Sequence, residues 1–446
     1  MTNNIMNRYI ASAALLCGIV SIGMTSCEDQ PNKYEPTGGT PSIKYIRMQD
    51  VAAKDSLIEA ASLQDGITII GENLTSITEM WFNDVKAVLN TSYMTSNAML
   101  VTVPKSIPDV VTDKIYMYTK DGDMVEYPFH VTVPGPVVSA MENEWVQVGE
   151  LATITGQYFL SDPSDPLTIT FTGIQNSINV KVPAENIKAI DQGIVKFIVP
   201  EGAEQGQITV HTIYGDGASK FYFHDKRGLI TDFDGTTPVV PQGWNIAAKY
   251  SDVDGIDGNY VELTGDLDES ANWVESVKLP FWCGNWNGDP MSITDGPGIP
   301  LRNLMPAGYF DDWANMSFKF ELCIPEGHEW KSGALMVLFV NNQQCANDSW
   351  QNNTYIHTSA NGGLDLGRGI YRPWATTGSF DTKGEWITVT MPLSEFVYNM
   401  DGSATGKSLT PESFDSFIMW PQGGGVNGAA CTPIFRYDNL RVVPNL

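Results

Sequence analysis

The chain repeats one short pattern: residues 65–74 read DGITIIGENL, and residues 148–159 read VGELATITGQYF. Each stretch alternates apolar and polar residues between glycines, which is typical of a short half-buried strand bounded by turns. A later strand in each copy ends at a proline, Pro104 or Pro200, because proline cannot donate to a β-ladder. The landmarks recur in order at a period of roughly 83–96 residues. This predicts two tandem antiparallel sandwiches.

Length and composition extend this prediction to the whole chain. At about 150 residues per domain, 446 residues suggest roughly three domains. Only 17% of residues are charged, 11% are aromatic, and there are 41 Gly and 26 Pro, a balance that favours an all-β protein. The net charge of −26 excludes non-specific nucleic-acid binding, which needs basic patches to neutralise phosphates.

The N-terminus has the pattern of a targeting segment. Arg8 precedes an apolar stretch over 10–22, which is too short to span a bilayer, and small residues then lead to Cys27. The Cys resembles the lipidated residue of a bacterial lipobox, and Glu28-Asp29 resembles the export signal of Bacteroidetes surface lipoproteins. We expect a lipoprotein signal peptide over 1–27 with lipidation at Cys27, and a flexible tether over 28–40. Plain secretion is the alternative.

The composition changes near residue 226, and ten of the twelve Trp lie beyond residue 230. We therefore predict sandwiches over 41–134 and 135–225, both immunoglobulin-like, and a larger jelly-roll β-sandwich over 226–446. Within the last domain, 316–324 alternates so as to bury one face, whereas 334–340 is apolar throughout and predicts a strand covered on both sides. The predicted strands are 229–233, 260–264, 273–279, 316–324, 334–340, 354–358, 385–391, 416–420 and 433–443.

Long predicted loops over 280–312, 341–353 and 359–384 combine Trp and Tyr with Asn, Gln and Arg. A pyranose has an apolar C–H face that lies flat on an aromatic ring, and its hydroxyls need amide or guanidinium partners. This combination therefore predicts a glycan-binding surface. Its candidate residues are Trp282, Trp286, Trp330, Trp350, Tyr371, Arg372 and Trp374.

Other tryptophans have structural interpretations. Trp386 and Trp420 lie in predicted strands, where packing is favoured, and Trp145 is expected in a core or between domains. The loop aromatics also fit an alternative function, a protein-interaction or adhesin module in which they form a hot spot. A second alternative is a β-sandwich glycoside hydrolase, but no paired-carboxylate motif of β-glucanases occurs, so no catalytic residue is predicted.

Cysteines and acidic turns leave two questions open. Cys283, Cys323, Cys345 and Cys431 allow three disulfide pairings, and small buried thiols are the alternative. No metal site or cofactor is predicted. A structural Ca²⁺ ion remains an alternative, because residues 251–259 are acidic and because Asp232, Asp234 and Asp438 lie where the first and last strands of the third domain would pair.

Six motifs carry a resemblance to a known family. The last domain is similar to the glycan-binding domain of Bacteroidetes surface glycan-binding proteins of the xyloglucan-binding "B" type, and the first two domains resemble IPT/TIG modules. The resemblance implies a SusE/SusF-like position at the outer membrane. There the protein would hold a β-glucan, such as xyloglucan or mixed-linkage glucan, beside a TonB-dependent transporter and its SusD-like partner. The motifs are CGNWNGDP (283–290), GIPLRNL (298–304), GRGIYRPW (367–374), GEWITVTMPL (384–393), GGGVNGAACTP (423–433) and RYDNLRVVP (436–444).

Overall fold

The computed structural model describes residues 38–53, 55–173, 179–235, 237, 241, 248–271, 274–283, 300–341 and 367–446. The chain divides into two compact units, with the boundary in the sequence between Val133 and Pro134. Within the described residues, no helix is long and apolar enough to cross a membrane. The predicted signal peptide, Cys27 and most of the tether lie outside the described residues.

The first unit is a small β-sandwich. One sheet has the strand order β1-β3-β6, the other β5-β4-β7-β8, and β2 pairs with β9 in parallel. Inward residues such as Ile67 and Met117 are fully buried because side chains alternate along each strand. The strands are β1 Ser42–Met48, β2 Ala60–Ser62, β3 Gly66–Glu72, β4 Ile77–Phe82, β5 Val85–Lys86, β6 Ala98–Thr102, β7 Lys114–Thr119, β8 Met124–Pro128 and β9 His130–Thr132, with 3₁₀ turns at Val51–Ala53, Leu74–Ser76 and Thr91–Tyr93.

The second unit begins with another sandwich. Its sheets have the orders β10-β11-β15-β14 and β13-β12-β16-β17, and they enclose a core that includes Ile154, Phe171 and Phe197. The strands are β10 Val137–Met141, β11 Leu151–Gln157, β12 Thr168–Gly173, β13 Asn179–Lys181, β14 Ile187–Asp191, β15 Ile194–Ile198, β16 Gly206–Thr212 and β17 Gly215–Ala218, with a 3₁₀ turn at Ala184–Asn186.

The same unit ends with the larger sandwich. Its back sheet has the order β19-β20-β27-β22-β25, with β18 also paired to β27, and its front sheet has the order β21-β26-β23-β24. The strands are β18 Leu229–Thr231, β19 Lys249–Ser251, β20 Tyr260–Thr264, β21 Leu279–Phe281, β22 Met316–Cys323, β23 Ala334–Val340, β24 Gly369–Tyr371, β25 Ile387–Pro392, β26 Ser416–Gln422 and β27 Ile434–Pro444. Short helices are α1 Leu301–Leu304 and α2 Trp374–Thr377, with 3₁₀ turns at Glu275–Val277, Trp313–Asn315, Leu393–Glu395 and Pro411–Ser413.

Two predicted segments of this sandwich differ from the structure. Within 273–279, Glu275–Val277 forms a 3₁₀ turn and the strand begins only at Leu279. Within the predicted loop 359–384, residues Gly369–Tyr371 form strand β24, which pairs with β23 through Leu335 and Tyr371. Backbone pairing to the free edge of β23 makes this short segment a strand. The predicted strand 354–358 lies outside the described residues.

Strand β22 is buried on both faces, although its alternation predicted only one buried face. Phe318 and Phe320 point into the core between the two sheets, while Lys319 and Glu321 point the other way and are 6% and 0% exposed. The cause is a neighbour: Glu144 of the preceding sandwich accepts a hydrogen bond from Lys319 Nζ at 2.5 Å. The back sheet therefore packs against the second sandwich.

A buried ion-pair network joins these two sandwiches. Arg441 of β27 donates to both carboxylate oxygens of Glu321 at 2.7 and 3.0 Å and to Glu144 Oε2 at 2.9 Å. Thr388 of β25 donates to Glu321 Oε1 at 2.9 Å and accepts from the Glu144 amide at 2.7 Å. Removing one partner would leave a buried charge uncompensated, so the network holds the junction in one arrangement.

Aromatic rings close the junction beside this network. Trp145 is 2% exposed and stacks on His224 with ring centroids 5.1 Å apart. Arg441 belongs to the last sandwich, and its guanidinium lies 5.8 Å from the Trp145 ring centroid. Trp145 therefore packs between the domains, as the sequence predicted.

We predict that Arg441→Met lowers the free energy of unfolding by about 3–5 kcal/mol, because Glu144 and Glu321 lose their shared cation in a buried site. Arg436→Met, on the same strand, is the matched control: its pair with Glu262 is partly exposed, so the expected loss is below about 1 kcal/mol. Urea unfolding of both variants measures the difference. Equal losses would contradict the structural role of the network.

Candidate functional site

The front sheet is apolar on both faces, because all seven residues of β23 are buried. Leu335, Val337 and Phe339 face the core between the sheets. Met336 and Leu338 point to the outer side of the front sheet, where they belong to a second apolar cluster. We call this cluster the outer-face cluster; it comprises Trp282, Ala334, Met336, Leu338, Val340, Ile418 and Trp420, with Ile370 and Met400 packed against it.

Both long connections of this domain begin and end at the front sheet or next to it. One leaves at Cys283, directly after β21, and returns at Pro300 before α1. The other leaves after β23 and returns at Gly367 before β24. Trp286 and Trp350 belong to these connections and lie outside the described residues.

Three candidate rings lie in the interior, which corrects the prediction that they offer open faces to a sugar. Trp330 is fully buried, and its Nε1 donates to the Ser332 carbonyl at 2.6 Å. Trp374 is 3% exposed, and its Nε1 donates to the Gly333 carbonyl at 2.7 Å. Trp282 is 8% exposed within the outer-face cluster. Burying a large aromatic ring among apolar side chains is favourable, so packing in the sandwich determines the position of each ring.

Tyr371 and Arg372 are adjacent but point to opposite sides of the front sheet. The Tyr371 ring packs at the edge of the core, 6.1 Å from the Trp330 ring and 6.4 Å from the Phe380 ring. Burial raises the pKa of Tyr371 to about 12. Arg372 Nη1 donates to the Gly424 carbonyl, which anchors the guanidinium beside the outer-face cluster.

The turn over 423–425 fits closely against this cluster. Gly424 has φ +89°, and a Cβ there would lie 2.6 Å from Ala334 Cβ and 3.3 Å from Arg372 Nη1. A side chain at this position would displace either the β23 backbone or the arginine, so glycine is required for the approach. The turn thereby leaves Arg372 at the surface edge of the cluster.

A polar loop that the sequence analysis did not assign to the glycan-binding surface lies next to this turn. Asp401 Oδ1 accepts from the Ser403 amide at 2.9 Å and from its hydroxyl at 2.6 Å, and these bonds lower the pKa of the exposed Asp401 carboxyl. The Gly424 amide donates to the Met400 carbonyl at 2.8 Å. Asn399, Asp401 and Arg372 thus provide donors and acceptors along one edge. Only the short Gly402 turn hinted at this loop in the sequence.

The remaining candidates have structural roles. Trp420 is 1% exposed and donates to Gln422 Oε1 at 2.6 Å, which confirms the predicted packing role. Trp386 is predicted in a strand but lies just before β25 of the back sheet, where it donates to the Asp254 carbonyl at 3.0 Å. Cys283, Cys323 and Cys431 are free thiols, and burial raises the pKa of Cys283 to about 12. Cys345 lies outside the described residues.

The fold and this face define a β-sandwich whose front sheet has a polar edge beside an apolar outer-face cluster. Residues 223–444 match the family described as the surface glycan-binding protein B xyloglucan binding domain. The crystal structure of surface glycan-binding protein PbSGBP-B from Prevotella bryantii is 36% identical. It matches with a TM-score of 0.76 over 92% of this chain and 100% of that chain. The chain therefore belongs to the SGBP-B family of surface glycan-binding proteins.

A relative from Bacteroides ovatus is also similar to this chain. It is named an IPT/TIG domain-containing protein and is 22% identical over 290 residues, which is 61% of this chain and 58% of that protein. The predicted family, the all-β fold and the function class of surface glycan binding are confirmed by these relatives. The relatives are glycan-binding proteins rather than enzymes, and they belong to the cell surface.

We predict that Trp330→Ala lowers the free energy of unfolding by about 3–5 kcal/mol, because it removes a buried indole from the core and leaves the Ser332 carbonyl without its donor. Chemical denaturation measures the loss. Tyr371→Ala, at the half-buried edge, is the comparison and should cost less. Unchanged stability in Trp330→Ala would contradict its assignment to the core.

Proposed function

We propose that the protein binds a soluble plant β-glucan, such as xyloglucan or mixed-linkage glucan, non-catalytically on the outer side of the front sheet. The observation that carries this proposal is the match of residues 223–444 to a xyloglucan-binding domain, which spans both sheets of the last sandwich. The two long connections that start at the front sheet supply the aromatic residues. The polar edge beside the outer-face cluster supplies hydrogen-bond partners.

In the proposed complex, aromatic rings stack on the sugars and polar groups form hydrogen bonds with the sugar hydroxyls. Trp286 and Trp350 are the platform rings, whereas Tyr371 packs on the core side of the front sheet and is left out of the platform. Burying a few tens of Å² on each ring contributes about 1–2 kcal/mol at ~25 cal/mol/Å². Arg372 and Asn399 offer donors to sugar hydroxyls, each bond adding about 1 kcal/mol net. After the entropy cost of association, the expected affinity lies in the range of roughly micromolar to millimolar dissociation constants.

The proposed location follows from the N-terminal pattern. Lipidation at Cys27 would anchor the chain in the outer membrane, since several acyl chains give stable anchoring. The tether and the two IPT/TIG-like sandwiches would then separate the glycan-binding sandwich from the anchor. A TonB-dependent transporter with a SusD-like lipoprotein is the proposed recipient of the captured polysaccharide.

We predict that affinity electrophoresis in xyloglucan or mixed-linkage glucan retards the protein. Trp286→Ala and Trp350→Ala should each weaken the retardation about tenfold, because each variant removes one ring worth about 1–2 kcal/mol. Trp386→Ala is the matched control, since this partly exposed indole lies just before β25 of the back sheet.

Three outcomes would replace the proposal. Absence of retardation by any polysaccharide favours the protein-interaction module. If Trp286→Ala and Trp350→Ala are retarded as strongly as the Trp386→Ala control, the binding site does not lie on the outer side of the front sheet. Release of reducing sugar from the same polymers would make the protein a glycoside hydrolase.

We also predict that Cys27→Ala moves the protein from the outer-membrane fraction to the soluble fraction, because the variant has no thiol to acylate. Fractionation and protease accessibility of whole cells measure this change. Ser26→Ala, which keeps the Cys and a small residue before it, is the control. A membrane-bound Cys27→Ala protein would contradict lipid anchoring.

A further inference from the structure

A buried carboxyl group, Asp438, lies close to the solvent-exposed Asp257 on the outer side of the back sheet. Asp438 lies on β27, and Asp257 lies in the acidic loop that precedes β20. Asn439 connects them. Its backbone N–H donates to Asp438 Oδ1 at 2.8 Å, and its side-chain Nδ2 donates to Asp257 Oδ1 at 3.1 Å. The two carboxyl groups also interact with each other directly.

Two oxygen atoms at this place have no hydrogen-bond partner among the described residues. They are Asp438 Oδ2 and Asn439 Oδ1, and both residues are 0% exposed. Buried polar atoms in native proteins are nearly always paired with protein, water or an ion. Two unpaired acceptors beside a further carboxylate therefore indicate a positively charged ligand.

The charges around the junction lead to the same conclusion. The buried acids Glu144 and Glu321 are matched by the buried cations Lys319 and Arg441. The charges that act on Asp438 are the carboxylates of Asp257 and Glu321, and the Asp234 carboxylate adds further negative potential at Asp257.

We propose that Asp257, Asp438 and Asn439 bind a Ca²⁺ ion at this position. The donors are two carboxylates and one carboxamide oxygen, which are ligands that Ca²⁺ prefers. Among described residues, no three Asp, Glu, His or Cys side chains meet at a metal position, so the carboxamide is an essential member of the set. Backbone carbonyls and waters would complete a coordination shell of six to eight oxygens.

The proposed ion would tie the 252–259 loop to β27. Tyr260 already holds this loop, because its hydroxyl donates to the Val253 carbonyl at 2.9 Å. Asp257 also interacts electrostatically with His224 of the second sandwich. Calcium would therefore stabilise the last sandwich at its contact with the neighbouring domain, independently of the glycan-binding face.

The test uses the chain from residue 28 onward, stripped with EGTA and titrated with CaCl₂ by calorimetry and by thermal unfolding. We expect binding of one ion and a rise in the unfolding midpoint of about 5–10 °C when free Ca²⁺ exceeds the dissociation constant a hundredfold. Asp257→Asn and Asp438→Asn should lose both responses. In EGTA, Asp438→Asn should be no less stable than the parent chain, because it removes the repulsion between the carboxylates.

Asp415→Asn is the control, since this largely buried Asp pairs with Arg302 elsewhere in the same sandwich and should keep the full calcium response. A calcium response that survives in both site variants would overturn the proposal. The absence of any response at free Ca²⁺ concentrations up to about 10 mM would also overturn it. A parent chain that ignores Ca²⁺ and loses stability steadily as pH rises would identify a proton shared between the two carboxyl groups instead.

Discussion

Burial of β23 on both faces is the constraint from which the organisation of the last domain follows. A strand without a polar side chain cannot face solvent, so one side of the front sheet closes the core and the other side needs its own apolar cover. That requirement places Trp282 and Trp420 on the outer face. It also makes the outer face the support for the loops and turns that surround it, among them the 423–425 turn that anchors Arg372.

The back sheet has the opposite chemistry on its outer side. Lys319, Glu321 and Arg441 would be ordinary surface charges in an isolated sandwich, but Glu144 and Trp145 of the preceding domain cover them. The two faces of the last sandwich therefore differ in role. The charged back face forms the junction with the preceding domain, and the apolar front face carries the proposed glycan site. Binding and domain attachment do not compete for the same surface.

Sequence patterns predicted what depends on local periodicity. The repeat of 65–74 at 148–159, the two-sided strand 334–340 and the family motifs all concern neighbouring residues, and the fold class follows from them. The burial of Trp330 and Trp374 was not predictable, because a Trp among Gly and polar residues has the same local pattern whether it closes a core or faces a ligand. The junction between the last two sandwiches could not be predicted either, because Glu144 and Arg441 are far apart along the chain. Alternation within one strand does not show that a neighbouring domain covers its polar face.

The central claim is that glycan binds at the outer side of the front sheet. Hydrogen–deuterium exchange of the protein with and without a xyloglucan oligosaccharide tests it most directly. The account predicts slower exchange in peptides that cover 367–374, 398–406 and 423–425, with no change in β19, β20 and β25 of the back sheet. Protection confined to the back sheet or to the first sandwich would contradict it.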